Sequence, residues 1–158
     1  MDDIVTYNQK HDNAITNGIT TLKEALSSSD TSEKRSILFC LDKYLDPYYG
    51  YDLSYFDDII ILLQEELFLT NTKEVKADIL QLLRDYAHKT LDYLAEKLGD
   101  LESEPELLEE ALYALGNTNN LQYIPKILKY EHHCISSIKN AVKEILAELS
   151  EANVSDHS

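Results

Sequence analysis

The chain of 158 residues contains no tryptophan, one methionine, two cysteines, three prolines and four glycines. So few glycines and prolines are typical of a chain made almost wholly of helices, because both residue types interrupt helices. The two cysteines, Cys40 and Cys134, form no disulfide or metal motif. We therefore expect two buried thiols in a reducing compartment.

Long apolar segments are also missing. The longest apolar run, from Ile59 to Leu63, is far too short to cross a bilayer. The N-terminus is acidic and polar, and it lacks the charged-then-apolar pattern of a signal peptide. The sequence predicts a cytoplasmic protein with no membrane contact.

Basic residues are scarce: 14 stand against 29 acidic residues, which gives a net charge of −15. Such a field repels nucleic acids and anionic membrane surfaces. It favours a basic partner and speeds the encounter with one. A second interpretation stays open, in which the acidic residues only keep a small protein in solution.

Motifs of catalysis and metal binding are not found in the sequence. It has no GxGxxG, no phosphate loop and no GxSxG. His132, His133 and Cys134 adjoin one another, but adjacent residues on a turn seldom bind one ion together, and no second ligand pair stands at zinc spacing. We expect neither an enzyme nor a cofactor or metal site.

What the chain does have is a repeat with offsets of 32 and 31 residues. The stretches VKADILQLLRDY from Val75, LLEEALYALGNT from Leu107 and IKNAVKEILAEL from Ile138 align without gaps. Their apolar residues form three columns: Ile79, Ala111 and Val142; Leu82, Ala114 and Ile145; Leu83, Leu115 and Leu146. Because a helix precedes each stretch, this period predicts an all-α fold, a short α-solenoid of about four antiparallel helix pairs. We expect one domain over residues 1–150 and a polar tail over 151–158.

Apolar periodicity and capping residues predict eight helices. They are residues 14–27; a helix capped by Asp30 that carries Ile37 to Leu45; residues 55–69; a helix capped by Asn71 that carries Val75 to Tyr86; a helix that stops at Gly99; a helix from the Ser103–Glu106 capping box to Gly116; a helix that starts at Asn119 or Asn120 with Pro125 in its first turns; and residues 135–149. The third helix is apolar nearly all round, so we expect it in the middle of the core. Pro47 and Gly50 predict a loop over residues 46–54.

The span from Ala111 to Leu149 resembles a HEAT repeat of the short bacterial type. The resemblance rests on Ala114-Leu115-Gly116 at a helix end, Ile124-Pro125 early in the next helix, and Ile138-Lys139 followed by Ala141. The chain departs from the family at His132-His133-Cys134, where Asp-Pro is usual, and at Lys139, where an arginine commonly braces the turn. The resemblance implies a binding scaffold. Some small acidic bacterial members resemble immunity proteins that neutralise a secreted toxin domain.

Tyrosine and aspartate are concentrated in residues 42–58. The segment holds Tyr44, Tyr48, Tyr49, Tyr51 and Tyr55 beside Asp42, Asp46, Asp52, Asp57 and Asp58, with Lys43 as its single basic residue. Tyrosine offers a large contact area with little rotamer freedom to lose, and acid beside it would steer a basic partner. We predict partner contacts from Tyr48, Tyr49, Tyr51, Asp52, Tyr55 and Asp58. The alternative is that the tyrosines fill the wedge between the first two helix pairs.

Acidic residues recur on the second helix of each predicted pair, which lines the concave face in solenoids of this kind. They stand opposite the core columns at Asp78, Gln81 and Asp85, at Glu106, Glu110 and Tyr113, and at Glu144 and Glu148. Such an acidic ladder would imitate a phosphate backbone in a nuclease cleft. We predict partner contacts from Asp78, Gln81, Asp85, Glu110, Tyr113 and Glu144. A solvated helix face is the alternative.

These features lead to one functional hypothesis and two alternatives. The hypothesis is a bacterial immunity protein that binds and inhibits a basic toxin domain, most simply a nuclease, through an acidic, tyrosine-rich surface. The first alternative is a general HEAT-like scaffold. The second is a HEAT-like lyase or a DNA glycosylase, for which Lys126, Lys129, Lys139 and Lys143 are the only basic cluster. The sequence leaves the oligomeric state open.

Overall fold

The computed structural model describes residues 9–28, 30–87 and 90–155, and every regular element within these ranges is a helix. Nine α-helices run in chain order: α1 Gln9–Thr16, α2 Ile19–Ser28, α3 Thr31–Leu45, α4 Phe56–Leu69, α5 Lys73–Tyr86, α6 Asp92–Glu96, α7 Pro105–Asn117, α8 Ile124–Leu128 and α9 Ser136–Ser155. Short 3-10 helices cover Pro47–Tyr49, Leu98–Leu101 and Leu121–Tyr123. The all-α prediction is confirmed.

The chain divides into two compact units, Met1–Leu82 and Leu83–Ser158. In the first unit α1 packs on α2 and α3, and α2 also packs on α3 and α4. In the second unit α7 packs on α9, and α9 also contacts α8. The solenoid arrangement, the antiparallel pairing and the single domain over residues 1–150 stay predictions.

The three apolar columns are core residues. Eight of their nine side chains are buried, and Leu146 is the half-exposed exception. The columns therefore contribute to the core of the unit in which each residue lies, since a helix stabilises a fold by burying such a stripe.

The first predicted helix is two helices, and its single-helix prediction was wrong. Gly18 takes a φ of +106°, a backbone conformation that costs other residues energy and that no helix interior adopts. The chain therefore breaks between Thr16 and Ile19, and α1 begins at Gln9, five residues before the predicted start. The break lets α1 and α2 pack separately on α3.

Helix α4 spans the predicted residues to within one, but it is not surrounded on all sides. Ile61 and Leu69 are 53% and 73% exposed, whereas Gln64 and Glu66 are buried. The Glu66 carboxylate is satisfied by the ammonium of Lys34 at 3.1 Å. A buried carboxylate of this kind requires its partner, because an unpaired charge is costly to bury.

Gly116 lies inside α7 and does not end it, which corrects the predicted boundary. A Cβ at this position would lie 2.7 Å from Cγ2 of Ile145 on α9. The glycine therefore permits the close approach of these two helices. The left-handed residue after α7 is Asn119, with a φ of +57°.

The predicted helix caps had mixed outcomes. Asp30 accepts from the Glu33 amide at 2.9 Å, Asn120 accepts from the Gln122 amide at 3.0 Å, and Pro105 opens α7, as predicted. The Ser103 capping box is wrong, since Glu104 precedes α7 and makes no side-chain cap bond. Gly99 was predicted to end a helix, but it lies within a 3-10 helix. Asn71 was predicted to cap α5, but it lies two residues before that helix begins.

The last helix extends beyond Leu149 to Ser155, so most of the predicted polar tail is helical. Residues 156–158 of that tail lie outside the described residues. In the described part of the chain, no helix combines the length and the apolar character needed to cross a membrane.

Candidate functional site

The tyrosine loop between α3 and α4 is shaped by its own sequence. Asp46 ends α3 and accepts a hydrogen bond from the Tyr48 amide at 3.0 Å, and Pro47 fits the first turn of the 3-10 helix that follows. Gly50 then reverses the chain with a φ of +72°. These contacts fix the backbone that carries Tyr48 and Tyr49.

Three tyrosines of the loop are exposed. Tyr48 is 86%, Tyr49 55% and Tyr51 47% accessible to solvent. The rings of Tyr48 and Tyr49 meet edge to face, with centroids 5.1 Å apart. Single exposed apolar side chains are ordinary, whereas several exposed aromatic side chains in one short segment are a candidate interaction surface.

Phe39, shortly before the loop in the chain, is a further exposed aromatic side chain and was missed in the sequence. It is 62% exposed on α3, and Asp42 and Asp46 follow it at spacings of three and seven residues. This spacing places all three on one helix face that leads directly into the loop. We name as the aromatic patch the following residues: Phe39, Tyr48, Tyr49, Tyr51, Asp42, Asp46 and Asp52.

The other two tyrosines of the segment serve packing. The Tyr44 hydroxyl is buried and donates to the Asp12 carboxylate of α1. The half-buried Tyr55 donates to the Ile15 carbonyl of α1 at 2.5 Å. Both edges of the loop are thus tied to α1. Asp58, predicted with the loop residues, is exposed in the first turn of α4, where its charge suits the helix dipole.

Asp12 anchors a buried polar cluster between α1 and α3 that sequence reasoning missed. Besides Tyr44, its Oδ1 lies 3.4 Å from the Lys43 ammonium and 3.7 Å from the Cys40 sulfur. Burial, with Asp12 nearby, raises the pKa of the Cys40 thiol to about 12. Burial and the Asp12 hydrogen bond also raise the pKa of Tyr44. A thiol held protonated and out of solvent is a structural group and a poor nucleophile.

His11 makes a second polar contact between α1 and α3. Its Nε2 lies 3.1 Å from the Glu33 carboxylate on α3, and Lys10 approaches that carboxylate at 3.3 Å. The His11 hydrogen bond, followed by Lys10, lowers the pKa of Glu33. Polar groups therefore fix α1 on α3 along its length.

The acidic ladder is partly neutralised within each unit. In the first unit Asp78 pairs with Arg35 at 2.8 Å, and Gln81 is exposed. In the second unit the guanidinium of Arg84 lies 3.0 Å from both carboxylate oxygens of Glu110. The two arginines of the chain thus each take one predicted ladder residue.

Three predicted ladder residues come together in the second unit. The guanidinium carbon of Arg84, already paired with Glu110, lies 4.6 Å above the Tyr113 ring. The Tyr113 hydroxyl donates to Glu144 at 2.6 Å. Burial and this hydrogen bond raise the pKa of Tyr113 to about 12. Asp85, Glu106 and Glu148 are exposed.

Neither the histidine cluster at residues 132–134 nor the basic cluster of four lysines has contacts that indicate a ligand site. His133 accepts a hydrogen bond from the Ile135 amide at 3.0 Å, just before α9, and His132 is exposed. In the basic cluster, Lys129 pairs with Glu102 at 3.2 Å, whereas Lys126, Lys139 and Lys143 are exposed. Across the described residues, no group of three His, Cys, Asp or Glu side chains is placed to hold a metal ion.

Comparison of the chain with models of known families, with curated proteins and with solved structures gave no match.

Proposed function

We propose that this chain is a protein-binding module that binds a basic protein through the aromatic patch. The observation that carries the proposal is the set of four exposed aromatic side chains, Phe39, Tyr48, Tyr49 and Tyr51, standing among three aspartates. Aromatic side chains dominate binding hot spots, and the acidic residues steer a partner of opposite charge.

The patch is preferred over the acidic ladder because four of its members are exposed aromatic side chains. Asp78 and Glu110 of the ladder each pair with an arginine. The ladder also offers little apolar area, and hot spots need desolvated aromatic or aliphatic anchors. We assign the ladder residues a secondary, steering role.

The partner proposed here is a toxin domain of a bacterial competition system, a nuclease with a basic substrate cleft, and the chain acts as its immunity protein in the cytoplasm. The net charge of −15 favours encounter with such a cleft. The HEAT-like arrangement of antiparallel helix pairs belongs to this proposal, and the burial of the column residues supports it.

The test uses the product of a neighbouring toxin-like gene and isothermal titration calorimetry. The triple variant Phe39→Ala/Tyr48→Ala/Tyr49→Ala is expected to weaken binding by about 30-fold or more, because loss of a hot spot costs at least about 2 kcal/mol. It should also lose the ability to protect cells from the toxin.

A matched control is Ile61→Ala/Leu69→Ala, which removes equally exposed apolar side chains from α4 of the same unit. We expect this variant to bind as the parent chain does. Equal losses in both variants contradict the assignment to the aromatic patch. Absence of a complex, together with undiminished toxicity, contradicts the immunity function.

A general scaffold is the second candidate, and the exposed face of α4 favours it. Ile61 and Leu69, eight residues apart, lie on one side of that helix with Glu65 between them. This face is separate from the loop and would suit a second partner. A scaffold is expected to bind the toxin and another protein at the same time. The α4 variant should lose the other protein and keep the toxin.

A further inference from the structure

One arrangement of side chains recurs in this protein: a cation lies over a tyrosine ring while a carboxylate holds the cation. In the first unit the Lys43 ammonium lies 5.0 Å from the Tyr44 ring centre and 6.0 Å from that of Tyr51, and 3.4 Å from the Asp12 carboxylate. The two rings are themselves 4.5 Å apart. Lys43 is therefore an internal ligand of this ring pair.

The second unit repeats the arrangement twice. Arg84 lies 4.6 Å above Tyr113 and pairs with Glu110. Lys129 lies 5.6 Å from the Tyr130 ring centre and 3.2 Å from the Glu102 carboxylate, which also accepts from the Tyr130 hydroxyl at 2.8 Å. In each case the ring face attracts the cation and the carboxylate orients it.

The Tyr48–Tyr49 pair has the rings and the acids but no cation. In the chain, the two residues of this edge-to-face pair follow Asp46, which caps the 3-10 turn, and precede the exposed Asp52. Over the described ranges of the chain, no lysine or arginine is placed over either ring. Tyr48 is 86% and Tyr49 55% exposed, so an external cation can reach their rings.

We infer that the Tyr48–Tyr49 pair binds a cationic side chain, an arginine in preference to a lysine, supplied by the basic partner. This inference rests on the proposed function and names the residue type that the patch recognises. Arginine is preferred because its planar guanidinium stacks on a ring face while its N–H groups reach a neighbouring carboxylate. Asp46 and Asp52 are the carboxylates that lie nearest to the pair along the chain.

The experiment uses the full chain with ring-labelled tyrosine and a synthetic peptide of alternating arginine and glycine as the probe. Single Tyr→Phe variants assign the ring signals. We expect the arginine peptide to shift the signals of Tyr48 and Tyr49 first. A peptide in which citrulline replaces arginine has the same shape without the charge, and it should cause no shift. A lysine–glycine peptide should bind more weakly than the arginine peptide.

The decisive variant is Tyr48→Leu/Tyr49→Leu, which keeps apolar area but removes the ring faces. It should weaken binding of the arginine peptide by about five-fold, the effect of roughly 1 kcal/mol for an exposed cation–π contact. The matched control is Tyr93→Leu, since the Tyr93 ring already has Lys97 at 5.9 Å, and its peptide affinity should not change.

Two results would overturn the inference. One is an arginine peptide that binds with unchanged affinity after the Tyr48→Leu/Tyr49→Leu change, which would place the cation elsewhere and leave a basic-partner function standing. The other is a peptide that shifts no tyrosine signal. The proposed function itself fails by a different measurement, the titration of the alanine triple variant with the toxin partner.

Discussion

The two units of this protein carry almost the same charge but present different surfaces. Residues 1–82 hold 15 acidic and 7 basic residues, and residues 83–158 hold 14 and 7. The six large apolar side chains exposed in the described part of the first unit are Phe39, Tyr48, Tyr49, Tyr51, Ile61 and Leu69, at 47% to 86% exposure. Those of the second, Tyr93, Leu121 and Leu128, lie between 36% and 50%. Net charge alone would not distinguish the units, whereas exposed aromatic area does.

The units also use tyrosine differently. In the second unit the hydroxyls of Tyr113, Tyr123 and Tyr130 donate to Glu144, Asp92 and Glu102, so these side chains join segments of the same unit that are far apart in the sequence. In the first unit Tyr44 and Tyr55 do so, and the tyrosines between them stay exposed. Tyr44 and Tyr55 thus fix the two ends of the loop, and the exposed tyrosines lie between them.

The largest expected effect comes from removing the anchor of the first unit. Asp12→Ala leaves the Tyr44 hydroxyl and the Lys43 ammonium without their carboxylate, and breaking a buried pair of this kind costs about 3 kcal/mol. We take the lower end of the usual range because Lys43 is partly exposed. Urea unfolding followed by circular dichroism measures the loss.

Tyr44→Phe is the matched control for that anchor. It removes one hydrogen bond and leaves the Lys43 pair, so it should cost about 1 kcal/mol. Equal costs for the two variants would mean that the ion pair contributes nothing. If the first unit alone is affected, second-unit markers such as the Tyr113 ring signal should keep their native shifts.

The next effect concerns the second unit. Gly116→Val places side-chain carbon where Ile145 of α9 already lies, and overpacking of this kind costs about 2 kcal/mol. The double variant with Ile145→Ala should cost less than the sum of the two single changes, because the clash is relieved. Additive costs in urea unfolding would show that α7 and α9 do not meet closely at this point.

The smallest effect appears at alkaline pH and is followed at two tyrosines of the second unit. Burial, then the Asp92 hydrogen bond, raises the pKa of Tyr123 to about 12, and burial and Glu144 raise that of Tyr113 to about 12. The unfolded chain loses these protons first, near pH 10. The stabilisation is therefore complete below pH 10 and is lost as pH rises towards 12.

The variant Tyr123→Phe tests this loss of folding stability at alkaline pH. Absorbance titration at the phenolate band should show one fewer late-titrating group, and stability should fall less steeply between pH 10 and 12 than in the parent chain. An unchanged slope would contradict a raised folded-state pKa at Tyr123.

Several elements could be predicted from sequence because their causes are local. The loop at Pro47 and Gly50, the Asp30 cap and the α4 span follow from residue types within a few positions. The columns are buried because helical spacing places them on one stripe. Asp42 and Asp46 share a helix face with Phe39, so the exposure of Phe39 could have been predicted from the sequence.

Other features depend on partners far along the chain. Asp12 looks like a solvated residue in a polar N-terminal stretch, but its partners lie 28 to 32 residues away on α3. The ladder residues Asp78 and Glu110 looked unpaired for the same reason, since Arg35 and Arg84 reach them across 43 and 26 residues. Composition gives the number of charges but not which of them neutralise each other.

The two thiols of this protein differ in their accessibility to reagents, because Cys40 is buried. The prediction that both thiols are buried was wrong for Cys134, which is exposed just before α9, so a maleimide dye or spin label can be attached there under native conditions. Cys40 can react only when α1 detaches from α3 and releases it from the neighbourhood of Asp12. The rate at which an added reagent alkylates Cys40 therefore measures how often the first unit opens, without any mutation.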